Sequence, residues 1–162
     1  MSNCGLMGIF DVSDLSNLTE LDLMNNELTE IKGLDKLTKL EYISANGNKL
    51  KTLPDLSALT NLEDLYVSGN ELETLPNMQG LTSLKHFLAD ENYLKTLPDM
   101  KGLTNLEYFN LNENLLTKEE LVAKLPKQYA TNTQWIEETV NQQKKGIEVE
   151  FTTDVTEIKY GE

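Results

Sequence analysis

A single histidine, His86, and a single cysteine, Cys4, are all the chain offers for imidazole or thiol chemistry. Neither has a partner at ligand or triad spacing, and no glycine-rich phosphate loop or G-x-S-x-G elbow is present. Carboxylates are plentiful, and a pair such as Asp64 and Asp90 in principle shares a proton or holds a metal ion. With 27 acidic residues among 162, however, an acid every few positions follows from composition alone, and a solvated face is the better reading. The expectation is no catalytic residue, no metal site and no cofactor. What remains is chemistry by contact, from tyrosines, acids and apolar groups on a surface that the fold must assemble.

The elements that assemble it are repeats. With Leu18, Leu40, Leu62, Leu84 and Leu106 as first positions, the pattern L-x-x-L-x-L-x-x-N-x-L returns every 22 residues without a gap, and Asn26, Asn48, Asn70, Asn92 and Asn114 share one column. Alternation at first, fourth and sixth positions, as in Leu62, Leu65 and Val67, is the period of a short strand with one buried face. Five strands are predicted near 20–24, 42–46, 64–68, 86–90 and 108–112, stacked in parallel because each return path of about 16 residues brings the chain back to the same edge. The Asn column falls where strands end, so its carboxamides are expected to be buried and bonded to turn backbone. Further apolar columns beginning at Leu28, Ile31 and Leu34 fill the interior.

Pro54, Pro76 and Pro98 also share a column. Proline has no N–H and a fixed φ, so that column is a bend outside any ladder. Asp55, Asn77 and Asp99 follow as caps for brief 3₁₀ segments, and Thr38, Thr60, Thr82 and Thr104 recur just before each strand for backbone hydrogen bonds. On these residues the chain resembles the leucine-rich repeat family, near the 22-residue type of bacterial internalins and of a eukaryotic phosphatase regulator, over roughly residues 4–116. The resemblance implies an α/β solenoid: an arc with a parallel concave sheet, short 3₁₀ turns on the convex side and a helical C-terminal cap.

Basic residues number 14, all Lys, giving a net charge of −13. Such a surface repels nucleic acid and anionic membrane, and no run of about 20 apolar residues spans a bilayer, so neither nucleic-acid binding nor membrane insertion is expected. A lone cysteine excludes an internal disulfide. Cys4 stands 22 residues before Asn26, in the ladder column; read as a lipobox it lacks the hydrophobic and basic regions that must precede one. Counting back further, Leu6, Ile9, Val12 and Leu15 match Leu28, Ile31, Leu34 and Leu37, so the chain begins inside a repeat. The expectation is a piece of a larger protein, with the strand around Leu21 an open edge that would allow self-association.

The array of residues 1–116 gives way to a cap over 117–145. Thr117 and Glu120 have capping-box spacing for a helix carrying Leu121, Val122 and Leu125 and ended by Pro126. From Asn132 a second helix places Trp135, Ile136 and Val140 on one stripe, and Trp135 is read as covering the last core layer. Residues 146–162 read as a strand-rich tail, with strands at 147–151 and 155–160, the possible start of a following domain.

Third and fifth strand positions point to the concave side. Glu20, Tyr42, Asp64, His86 and Tyr108 form one row, Asp22, Ser44, Tyr66, Leu88 and Asn110 the next, and Asp90 lies in a third beside the turn. The candidate partner-binding residues are Tyr42, Asp64, Tyr66, His86, Leu88, Asp90 and Tyr108, because aromatic and apolar groups gathered on an open face mark an interface, and the acids favour a partner bearing Lys or Arg. Asp64 beside His86 is expected to favour the imidazolium. The function expected from the resemblance is a non-enzymatic protein- or peptide-binding module of a secreted or cell-surface bacterial protein; a cytoplasmic regulatory subunit like the phosphatase regulator is the alternative. The predicted helices after Thr117 stand where internalin arrays carry an immunoglobulin-like segment, a departure that bears on adhesion.

Overall fold

The computed structural model describes residues 1–143; the strands expected at 147–151 and 155–160 lie outside the described residues. Strands β1 (Met7–Asp11), β2 (Glu20–Asp22), β3 (Glu27–Lys32), β4 (Tyr42–Ser44), β5 (Asp64–Tyr66), β6 (His86–Leu88) and β7 (Tyr108–Asn110) precede helices α1 (Lys118–Lys124), α2 (Lys127–Ala130) and α3 (Thr133–Asn141). A parallel five-stranded sheet runs in the order β2-β4-β5-β6-β7. Its register is the repeat itself, with Tyr42 opposite Asp64, Asp64 opposite His86 and His86 opposite Tyr108.

Each of these strands starts at its predicted residue and ends two residues early. Turn-to-turn bonding nevertheless continues beyond the strand, as in Ala45 N–H to Tyr66 O (2.8 Å) and Gly47 N–H to Ser68 O (2.9 Å). The chain turns inward through a left-handed residue just before each ladder position, Cys4 included: Asn3, Asn25, Gly47, Gly69, Glu91 and Glu113 all have φ between +53° and +65°. The ladder is formed as expected. Asn26, Asn48, Asn70, Asn92 and Asn114 are buried. Asn70 donates to Ala45 O (2.9 Å) one turn back and to Val67 O (3.0 Å) in its own turn, and accepts the Leu50 N–H (3.1 Å). Each carboxamide thus stitches adjacent turns where water has no access. The interior is a continuous column of leucines, with Phe87 and Phe109 behind the last strands.

The N-terminal end departs from the simple count. Gly8 (φ +74°) opens a bulge between Gly8 and Ile9 in the parallel pairing of β1 with β3, a second, two-stranded sheet that the sequence reading lacked. A one-residue slip exchanges the faces of a strand. Ile9, expected inside, is 55% exposed, while Phe10 packs against the core; Leu15 is also largely exposed, and Val12 is buried as expected. The second sheet forms where Phe10 and Lys32 fill the column that Pro54, Pro76 and Pro98 occupy later, so proline ends it. The edge of β2 is not wholly open: the Met1 amino group donates to Asp22 O and the Asn3 N–H to Met24 O, both at 2.8 Å. Cys4 keeps the ladder column, its Sγ donating to Ser2 O (3.3 Å), but is exposed at the ladder's end.

On the convex side, among the described residues, only Leu34–Lys36 is a 3₁₀ helix. Later repeats make single turns, Leu59 N–H to Leu56 O and Leu81 N–H to Met78 O, each opened by an Asx contact such as Asp55 Oδ1 accepting from Ser57 N–H (2.8 Å). The threonine column works through its carbonyls, which accept Asn61, Ser83 and Asn105 side chains of the next turn. At the far end Thr117 caps α1, but Glu120 does not close the box; its Oε1 accepts the Leu97 N–H (2.8 Å), tying the helix to the preceding repeat. Leu121 and Leu125 are buried while Val122, expected with them, is exposed. Pro126 ends α1 and begins the unforeseen α2. Asn132 caps α3, which buries Ile136 and sets Trp135 against Phe109, ring centroids 4.8 Å apart.

Candidate functional site

Tyr42, Asp64, Tyr66, His86, Leu88 and Tyr108 stand on the concave side because the parity of β4–β7 sends Ile43, Leu65, Phe87 and Phe109 into the core, and Asp90 follows two residues after β6. Asp64 is the hub. Its Oδ1 accepts the Tyr66 hydroxyl at 3.0 Å and lies 2.5 Å from His86 Nδ1, one strand away. The imidazole is thereby fixed in orientation, with Nδ1 turned along the sheet. Tyr66 in turn meets Tyr42 edge to face, centroids 5.6 Å apart and planes at 82°, an arrangement that adds about 0.5–1.5 kcal/mol beyond area burial.

Burial, reinforced by the hydroxyl's bond to Asp64, pushes the Tyr66 phenol up to about 12. It is a neutral donor at any physiological pH. Leu88 sits half-buried between Tyr66 and Asn110 in register, and Tyr108 is 59% exposed at the end of the row. Asp90 is held separately, accepting the Ser68 hydroxyl at 2.6 Å. Asp64 and Asp90, weighed as a proton- or metal-sharing pair, thus each bind a different neighbour. Among the described residues no group of three His, Cys, Asp or Glu side chains is placed to hold a metal ion. Lys85 is drawn to Glu63 (2.7 Å) and Lys49 to Glu27 (2.8 Å), so these cations are neutralised at home.

A feature the sequence reading missed lies at the end of this face. Where α3 folds back toward β7, a cleft of about 370 Å³ opens between Tyr108, Asn110 and Asn112 on the strand side and Trp135, Glu138 and Gln142 on the helix side, floored by Phe109. Asn110 belongs to the second sequence-derived row, but nothing in the 22-residue period places α3 beside it. Trp135 carries both roles: one part of the ring packs on Phe109 and Tyr129, the rest lines the cleft.

The fold and its repeat unit have counterparts. The family model described as leucine-rich repeats (2 copies) matches residues 16–58 and 38–79. Among solved structures, YopM, a leucine-rich effector protein from Yersinia pestis, is 33% identical, with a TM-score of 0.60 over 65% of this chain and 29% of that one. A leucine-rich repeat protein of Leptospira interrogans is 34% identical (TM-score 0.59; 64% and 27%). An internalin of Listeria monocytogenes is 28% identical (TM-score 0.56; 65% and 32%). The matched part is thus less than a third of the length of each. No curated protein sequence matches the chain. With the 22-residue frame, the buried asparagine ladder and these similarities together, the chain carries a leucine-rich repeat array that resembles that of internalin-type proteins.

Proposed function

We propose that the chain is a non-enzymatic module that binds a protein or peptide on its concave face, as part of a secreted or cell-surface bacterial protein. The observation that carries the reading is one connected patch: Tyr42 against Tyr66, Tyr66 and His86 joined through Asp64, and Leu88 and Tyr108 in adjacent register. Its groups are held in place before any partner arrives, which lowers the ordering cost of association. Aromatic side chains of this kind dominate interface energetics, and the surrounding acids favour a partner rich in Lys or Arg. The similarity to an effector protein and to an internalin supports the secreted or surface setting.

The test is selection of binders from a random peptide display library, followed by two double variants. Tyr66→Ala with Tyr108→Ala should abolish binding of the selected peptides, and those peptides should be enriched in basic residues. Lys36→Ala with Lys101→Ala, on the exposed convex side, should leave binding unchanged. The opposite pattern would put the site on the wrong face.

A further inference from the structure

We infer that the cleft between β7 and α3 is an anchor pocket for one arginine side chain of the bound segment. The inference rests on the concave-face reading and extends it past the last strand. The cleft continues the row Tyr42, Asp64, His86, Tyr108, since Tyr108 belongs to both. At about 370 Å³ it lies near the lower end of ligand-pocket sizes, roughly 300–1,000 Å³. That suits a single side chain better than a folded surface.

Its lining selects the chemistry. Trp135 and Tyr108 offer aromatic surface on either side, and a guanidinium is attracted to such rings and stacks flat on them. Among the described residues that line it, Glu138 is the only charged one, and none is a lysine that would compete with a cation. The Glu138 carboxylate already accepts from Gln134 Nε2 at 2.9 Å through Oε1, which holds it at the rim. Carboxamides of Asn110, Asn112 and Gln142 supply acceptor oxygens for the remaining N–H donors. A net charge of −13 and the absence of any arginine in the chain itself make a basic partner group complementary. Strand spacing of about 4.8 Å puts Tyr42 and Tyr108 about 14 Å apart, so an extended segment crossing the sheet spans that distance with about four residues.

Trp135 is the only tryptophan, so its emission reports the cleft directly. Nα-acetyl-arginine amide is titrated into the chain while Trp135 fluorescence is followed, with the citrulline amide as a neutral isostere and methyl glucoside as a polar ring ligand. Saturable change with the arginine compound in the millimolar range, at least fivefold weaker for citrulline, is expected. Glu138→Gln should weaken the arginine response about tenfold while leaving the thermal melt in place, because the glutamine retains an acceptor for Gln134. No saturation, equal response to citrulline, or saturation by the glucoside instead overturns the assignment. The two readings fail separately. A selected peptide that loses binding on Tyr42→Ala with Tyr66→Ala, both outside the cleft, but not on Glu138→Gln keeps the concave face and removes the pocket. One that responds only to Glu138→Gln keeps the pocket and removes the face.

Discussion

Gln143 stands to Leu116 as Asn114 stands to Leu94: its Oε1 accepts the Leu116 N–H at 3.2 Å, where Asn114 Oδ1 accepts the Leu94 N–H at 3.0 Å. Its Nε2 donates to Leu111 O at 3.1 Å, as Asn114 Nδ2 donates to Ala89 O at 2.9 Å. The cap therefore ends the asparagine ladder by imitating its next rung. Backbone continuity is imitated as well, with Glu113 N–H bonded to Gln142 O (2.7 Å) where Glu91 N–H bonds Asn112 O. Replacing Gln143 by Leu should leave the Leu116 N–H unpaired at a part-buried site, while Leu111 O keeps the Asn114 carboxamide at 3.0 Å, and cost about 1–3 kcal/mol. Hydrogen exchange at Leu116 should quicken with the lower melt; unchanged exchange there would show that α3 caps by apolar cover alone.

Within the ladder, Asn70→Leu should cost a similar ~1–3 kcal/mol because the Leu50 N–H loses its partner, while Ala45 O and Val67 O lose one of two donors and keep Asn48 and Asn92. Exposed Glu73→Ala should stay within about 0.5 kcal/mol. Equal melting temperatures for the two variants would count against the ladder as a stabilising device.

The left-handed column gives a paired prediction of opposite sign. Glu91 (φ +55°) and Glu113 (φ +53°) occupy a conformation in which an L side chain is strained, while Gly69 (φ +63°) does not suffer it. Glu91→Gly should raise stability by about 0.5–1 kcal/mol. Gly69→Ala should lower it by about 1 kcal/mol through conformation alone, since a Cβ there meets nothing nearer than 3.7 Å. A destabilised Glu91→Gly would mean the carboxylate contributes more than the strain removes.

What was legible in the sequence was whatever the period controls. Asn26 to Asn114, the starts of the five concave strands and the side of the sheet on which Tyr66 and His86 lie all follow from residue 62 repeating at 40 and 84. What escaped breaks the period or joins distant parts. The bulge at Gly8 shifted Ile9 outward, and no count of 22 reveals it. The partners of Glu120 and Gln143 lie on earlier turns, so a local capping-box pattern assigned Glu120 to the wrong N–H. The cleft needed α3 placed against β7, a tertiary contact with no periodic signal.

Tyr66 should ionise near pH 12 in an alkaline absorbance titration. The folded state holds this proton more tightly than the unfolded chain, whose phenols titrate near 10. Its contribution to stability is therefore complete below about pH 10 and is lost as pH rises from there through about 12. Tyr66→Phe should delete this step, and Asp64→Asn should lower it by removing the acceptor's charge. A titration in which Tyr66→Phe leaves this step unchanged would assign it elsewhere, to a phenol such as Tyr129, which burial also raises.

Binding kinetics should separate the aromatic from the acidic part of the concave face. Rim charges act at a distance and mainly raise the association rate, whereas packed aromatic groups act after docking and govern dissociation. For a lysine- or arginine-rich selected peptide, raising salt from about 0.01 M to 0.15 M shortens the screening length from about 30 Å to 8 Å. Association should slow accordingly with little change in dissociation. Asp90→Asn should mimic the salt effect, since Asp90 accepts the Ser68 hydroxyl and its neutral form keeps that acceptor. Tyr66→Ala should instead speed dissociation, by an amount corresponding to about 2 kcal/mol where the ring is an anchor. Tyr66→Phe is the control that keeps the packing against Tyr42 while removing the hydroxyl's bond to Asp64. If Tyr66→Phe is as damaging as Tyr66→Ala, the hydrogen-bonded Asp64–Tyr66–His86 arrangement rather than aromatic area carries the affinity, and His86→Asn should then match it.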